Sequence, residues 1–332
     1  MDARTSVAFL EGGGEMGARM RAYDWRTTPL GSPDGWPQSL RTVVRIMLDS
    51  RYAMWMLWGP DLTFFCNDAY LPTVGIKRDW VLGARSDKVW AEIWPDIGPR
   101  IDHVLRTGEA TWDEGLLLFL ERSGYPEETY HTFSYSPVYD DDGIVAGMLC
   151  VVTEDTTRQL SERRIALLGA IGTEMATTKT EDDVFAVLRR HLGAGVPDLP
   201  CALAYVVDAR GHPARCALRA GFPDGHPAAP AQVDGDSPWP VARALAEARE
   251  IAVDDLAERF ASLPTNPWRE PPRSALLLPI PQQGSAEPAG VFVACLNRYR
   301  RLDDAYRRFL ELLVAQLAAG LANARTYLEE RR

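Results

Sequence analysis

Cysteine, histidine and lysine are scarce in this chain of 332 residues, and long apolar runs are missing. The five cysteines, Cys66, Cys150, Cys201, Cys216 and Cys295, lie far apart with no CxxC pair. That spacing gives neither a zinc ribbon nor a disulfide framework and suits a reducing cytoplasm. The five histidines, His103, His131, His191, His212 and His226, avoid metal-ligand spacings, so no metal site is expected. Lysine stands only at Lys77, Lys88 and Lys179, and 36 basic residues face 46 acidic ones, a formal net charge of −10. An acidic balance argues against nucleic acid as a partner. The most apolar stretch, 309–324, is interrupted by Glu311, Gln316 and Asn323, and residues 6–10 are too short for a signal-peptide core. Neither a membrane span nor a secretory leader is expected.

What remains is 46% apolar and 25% charged, enough for packed cores in a chain long enough for about two domains. Residues 38–49 carry Leu40, Val43, Val44, Met47 and Leu48 at helical spacing. Residues 53–58 and 62–66 read as strands joined by a Gly-Pro-Asp turn. From 67 to 107 the pattern predicts short helical pieces broken at Pro72, Gly83, Pro95 and Pro99. Strands follow at 112–121, 129–139 and 144–153, joined by turns rich in Gly, Pro and Asp. Residues 156–178 lack proline and place Leu160, Leu167, Leu168, Ile171 and Met175 on one helical stripe. That is a connecting helix, too long for an ordinary loop. Beyond it the pattern predicts a helix at 184–192, strands at 202–207, 215–220, 275–280 and 291–296, and a proline-rich excursion with a helix near 241–248. A long helix closes the chain. The fold class is α+β, two domains that are each an antiparallel β-sheet flanked by helices. The divisions are an irregular lead-in at 1–36, a first domain at 37–155, the connecting helix at 156–179, a second domain at 180–302, and a terminal helix at 303–332 packed on it.

The runs RAYDWRTTPLGSPDGWPQSLRTVV, MWMLWGPDLTFFCNDAYLPTVG and FSYSPVYDDDGIVAGMLCVVTEDTTRQ resemble the PAS domain at the front of many bacterial sensor histidine kinases. Asn67-Asp68-Ala69-Tyr70 matches that family's strand-to-helix corner, and Glu154-Asp155-Thr156-Thr157 its acidic-Thr exit into a signalling helix. The second half, with ALAYVVDARG, VDDLAERF, PRSALLLPI and AGVFVACLNRYRRLDDAYRRFLELLVAQLAAGLANAR, resembles a GAF domain of the same proteins. The resemblance implies a cytoplasmic signal-sensing input module, PAS then GAF. It would regulate an output domain outside this sequence, a histidine kinase of a two-component system acting as the transmitter in cis. The phosphoacceptor and ATP-lid motifs of such a kinase do not occur in these 332 residues, and no catalytic residue stands out. A stand-alone ligand-binding or dimerisation protein, or the input of a phosphatase or cyclase, remains as the alternative.

Gly12-Gly13-Gly14-Glu15-Met16-Gly17 fits a dinucleotide-binding fingerprint, but Pro29, Gly31, Pro33 and Gly35 stop the unit such a site requires. Asp140-Asp141-Asp142-Gly143 reads as a turn, lacking the twelve-residue ligand spread of a calcium loop. The cofactor is unknown. Haem is disfavoured because His103 stands too close to Thr107-Gly108-Glu109, flavin because Cys66 precedes Asn67 on a strand, and bilin because Cys216 is followed by no histidine. Met54, Met56 and Trp58 alternate on one strand, and His131, Phe133 and Tyr135 on another. Met56, Trp58, His131, Phe133 and Tyr135 are therefore the candidate ligand pocket, for an unidentified small molecule. Asp155 and Thr156 are the candidate signal-coupling corner. Phe309, Leu313, Leu317 and Leu321 on the last helix are expected to hold a homodimer, helped by the stripe on the connecting helix.

Overall fold

The computed structural model describes residues 7–207, 214–234 and 237–330. The first six residues of the lead-in and the last two of the terminal helix lie outside them. Two compact units divide the chain, Met1–Gln159 and Leu160–Arg332.

The first unit runs α1 (Gly14–Ala22), α2 (Gln38–Asp49), β1 (Ala53–Trp58), β2 (Thr63–Cys66), the single turns α3 (Leu71–Val74) and α4 (Ser86–Val89), α5 (Trp94–Thr107), β3 (Thr111–Leu120), β4 (Glu127–Tyr139) and β5 (Val145–Glu154). Its strands form one antiparallel sheet in the order β2-β1-β5-β4-β3. The lead-in is not irregular: α1 occupies it, and Leu10, Met16, Met20, Trp25 and Trp36 are buried in the core. Turn formers dominate that stretch locally, yet Trp25 stacks on Phe65 and Trp36 meets the same ring edge-on, so tertiary burial fixes it. The breaks expected at Pro95 and Pro99 are also absent. Pro95 sits in the first turn of α5, where its missing N–H costs nothing. Pro99 forfeits one bond, about 3 kcal/mol, against Ile97, Ile101 and Val104 each worth about 1.5–3 kcal/mol on burial. Burial wins, and the helix runs on to Gly108, whose positive φ of 72° closes it with a bond to the Val104 carbonyl.

α6 (Thr156–Met175) starts directly after β5, and its residues from Leu160 onward belong to the second unit. There follow α7 (Glu181–Leu192), β6 (Ala202–Val206), β7 (Ala214–Ala220), β8 (Gln232–Val233), α8 (Val241–Glu247), β9 (Ile251–Val253), α9 (Leu256–Arg259), β10 (Ala275–Ile280), β11 (Gly290–Cys295) and α10 (Asp304–Glu329). The sheet order is β8-β7-β6-β11-β10-β9. β8 and β9 are short edge strands inside the proline-rich excursion, below the length at which alternation can be read. The central strands β6 and β11 are buried along their whole length because both sheet faces are covered. α6, α7 and α10 contribute to the core on one face, α8 and Trp239 to the core on the other.

The expected dimer stripe is used inside this unit. Phe309, Leu313, Leu317 and Leu321 are all buried in its core with Ile171 and Met175 of α6, so they present no face to a partner. The helix stripe is real, but the sheet and two neighbouring helices supply all the cover it needs. Residues of α10 that stay exposed include Leu312, Ala315 and Ala319.

Candidate ligand cavity and exit helix

In the first unit β4 is the organising strand. His131, Phe133 and Tyr135 point into a small cavity, together with Trp55 of β1 and Cys150 of β5. The register explains the grouping, since Tyr135, Cys150 and Trp55 are cross-strand partners in successive pairs. Tyr70, Thr73 and Trp90 close the cavity from the short helical turns between β2 and α5. Met56 and Trp58 do not line it. They lie one register away on the opposite face, where Met56 pairs with Phe65 beneath Trp25 and Trp36. Alternation could not choose the face because the buried lead-in makes both sides of β1 apolar, whereas Trp55 shares its side with Tyr135. The free volume is about 20 Å³, room for about one water molecule.

Polar groups in this wall are few and neutral. His131 is 2% exposed, its Nε2 lies 3.1 Å from Thr129 Oγ1, and burial pushes the imidazole pKa down to about 4. Burial likewise raises the Tyr70 and Tyr135 phenols well above the ordinary range. The Trp90 indole N–H is buried with no hydrogen-bond partner among the described residues. Outside the cavity, Lys77 holds Glu92 and the Val89 carbonyl while its ammonium sits 4.6 Å from the Trp90 ring centroid. His103 is not a wall residue; its Nε2 lies 3.5 Å from Glu109 at a half-exposed surface.

The corner at Asn67 and Asp68 explains the glycine run. The fully buried Asn67 amide donates to the Met47, Ser50 and Tyr52 carbonyls and accepts from Met54 N–H, fixing α2 to β1. Asp68 accepts from the N–H groups of Glu15 and Met16 at 2.9 and 2.7 Å. A carboxylate of the chain itself thus occupies the α1 N-terminus, where a cofactor phosphate would have to sit. Gly14 is required there, because a Cβ on it would lie 1.9 Å from Asp68 Oδ2. Asp141 plays the same part for α2, accepting from Gln38 and Ser39, while Asp140 closes the turn on Asp142 and Ile144 N–H.

The even residues of β4 face the exit. Tyr130 N–H donates to Thr156 Oγ1 at 3.0 Å, Asp155 N–H donates to the Tyr130 carbonyl at 2.7 Å, and the Thr132 hydroxyl donates to the Asp155 carboxylate. Asp155 also accepts the first helical bond of α6, from Gln159 N–H. Beside them Arg122 forks between Glu127 and Glu154. Burial alone would raise the Glu154 carboxyl, but the guanidinium outweighs it and holds the group below its ordinary range. Cavity wall and helix start thus share alternate residues of one strand.

In the second unit, Asp198 is 3% exposed and takes Arg163 and Arg164 of α6 at 2.6 and 2.8 Å. Burial would push its carboxyl up, and the two guanidiniums reverse that, leaving it lowered. The Tyr306 hydroxyl of α10 bonds to the Asp198 carbonyl, and Arg164 lies over the Tyr306 ring. Cys216 is half-buried, its thiol donating to the Leu218 carbonyl.

Family comparisons agree with this two-part layout. The PAS fold model matches residues 48–160, and the GAF domain model residues 178–322. The first unit has a PAS fold and the second a GAF fold. No curated protein matches the chain. Among solved structures, the chain is similar to the GAF domain of an Acinetobacter phosphoenolpyruvate-protein phosphotransferase at 19% identity, over 49% of this chain and 95% of that one, TM-score 0.37. A methyl-accepting chemotaxis protein fragment gives 19% identity over 47% and 97%, TM-score 0.37. A sensory box sensor histidine kinase from Vibrio cholerae gives 15% over 35% and 86%, TM-score 0.25. No helix among the described residues is long and apolar enough to cross a membrane.

Proposed function

We propose that this chain is a cytoplasmic sensory input module whose PAS cavity reports to a transmitter domain through α6 and α10, the transmitter being a histidine kinase of a two-component system. One observation carries the reading: β4 presents His131, Phe133 and Tyr135 to the cavity, while Tyr130 and Thr132 between them hold Asp155 and Thr156 at the start of α6. A ligand that binds one position of β4 better than another shifts the population of α6 arrangements by its differential affinity. Asp155 and Thr156 are the coupling residues. The test extends the chain with a histidine-kinase transmitter and measures autophosphorylation. Asp155→Ala with Thr156→Ala should change the phosphorylation rate at least several-fold while leaving cavity occupancy alone; an unchanged rate removes the assignment.

The module works as a parallel homodimer. α6 and α10 run side by side, with Arg164 over Phe309, the Gln316 amide on the Leu168 carbonyl and Met175 against Gly320. Their outward residues, Ile165 and Gly169 on α6 and Leu312, Ala315 and Ala319 on α10, are exposed and uncharged. Two copies of that face can pair through these residues, with the charged Glu162 and Arg308 at its N-terminal margin. Light scattering over a concentration series should give twice the monomer mass, reverting to the monomer in Leu312→Glu with Ala319→Glu.

A further inference from the structure

The buried Trp90 N–H is the least satisfied polar group in the cavity wall. Leaving such a donor unpaired costs about 1–3 kcal/mol, so native interiors pair it with protein, water or ligand. The free volume in front of this wall, about 20 Å³, admits one water-sized acceptor and nothing larger without movement. None of the residues lining the cavity is Asp, Glu, Lys or Arg. An ion placed here would lose its hydration with no free counter-charge to replace it, since the Lys77 ammonium beside Trp90 is already paired with Glu92. The walls are otherwise a mixture of aliphatic side chains, Ile93, Ile97, Leu118, Leu120 and Val152, and of rings, of which Trp55 meets Tyr135 and Tyr70 meets Trp90 edge-on, each at 5.9 Å.

Resting on the sensory reading above, we infer that the PAS cavity takes a small uncharged molecule through a hydrogen-bond acceptor oxygen placed on the Trp90 indole N–H, in the position a single water holds otherwise. The apolar remainder of that molecule packs between the rings. It gains its room from the cover, which is made of single helical turns jointed at Gly75 and Gly83, both with positive φ. Acids and amines of the same size are excluded.

The test uses the whole chain with ¹⁵N-labelled tryptophan, the Trp90 indole resonance being identified by its loss in Trp90→Phe. Cyclopentanone, cyclopentane, cyclopentylammonium and cyclopentanecarboxylate are titrated at matched concentrations. The ketone should move the Trp90 resonance saturably, with half-saturation at least ten-fold below that of the hydrocarbon, and both ions should leave it in place. Trp90→Phe, followed by thermal shift, should bring the ketone down to the hydrocarbon's level. A Trp90 resonance that answers none of the four overturns the inference and leaves a site for water alone. One that answers the ions as readily as the ketone overturns it too. A saturable ketone response with unaltered amide exchange in α6 keeps the ligand class and removes the coupling instead. Exchange in α6 that responds to some other compound while Trp90 stays silent does the reverse.

Discussion

Replacing His131 by leucine should flatten the acid side of the first unit's stability profile. The imidazole is 2% exposed and its pKa lies at about 4, against about 6.5 in an unfolded chain. Between those values the unfolded state binds the extra proton and the folded state does not, so stability falls as pH falls from 6.5 towards 4. Integrated from pH 7.5 to pH 5, this one group costs the folded state about 2 kcal/mol, and about 3 kcal/mol once pH 4 is reached. Urea unfolding followed by tryptophan fluorescence isolates the effect, because eight of the ten tryptophans lie before residue 160. With a urea slope of about 2 kcal/mol/M, the wild-type midpoint should drop by about 1 M more than that of His131→Leu over that pH range. The other histidines are common to both proteins and cancel in the difference. Identical pH slopes in the two proteins would refute the burial of a neutral imidazole and with it the neutral cavity wall.

Asp68→Ala removes two bonds to the α1 N-terminus and should cost about 1–2 kcal/mol, with amide exchange rising first in residues 15–22. Asp198→Ala leaves Arg163 and the 8%-exposed Arg164 without their carboxylate, and the second unit should lose about 3–5 kcal/mol in denaturant unfolding. Leu317→Ala should cost the same unit about 2–5 kcal/mol, since Leu317 is fully buried. By the same reasoning Leu317→Glu with Leu321→Glu should unfold the GAF domain by circular dichroism and calorimetry, whatever the oligomeric state.

Helix α2 and strand β1 are readable from local pattern to the residue, α2 from its helical apolar spacing and β1 as a short apolar run ended by a Gly-Pro-Asp turn. Elsewhere long-range burial overrides the local signal. Trp25 and Trp36 turn a glycine- and proline-rich lead-in into sheet cover, which then hides the face of β1 that meets the cavity. Only the partner strand disclosed it: Trp55 shares the side of His131, Phe133 and Tyr135 through the pairing register of β1, β5 and β4. Trp90 could not be singled out, because an indole without a partner is a property of three-dimensional packing. Phe309, Leu313, Leu317 and Leu321 illustrate the opposite limit: a stripe fixes which face of a helix is covered, never by what.

The link between β4 and α6 is tested most directly by amide hydrogen exchange on Thr132→Val in the whole chain. That substitution keeps the side chain's shape and deletes the hydroxyl bond to the Asp155 carboxylate, a charge-assisted bond worth about 1.5–3 kcal/mol, together with the bond the hydroxyl accepts from Gly115 N–H, whose effect stays local to β3. Amides of residues 157–160 should exchange about ten- to a hundred-fold faster, with α2 unchanged. Unchanged exchange at those amides, or a uniform rise across the first unit, would contradict the account.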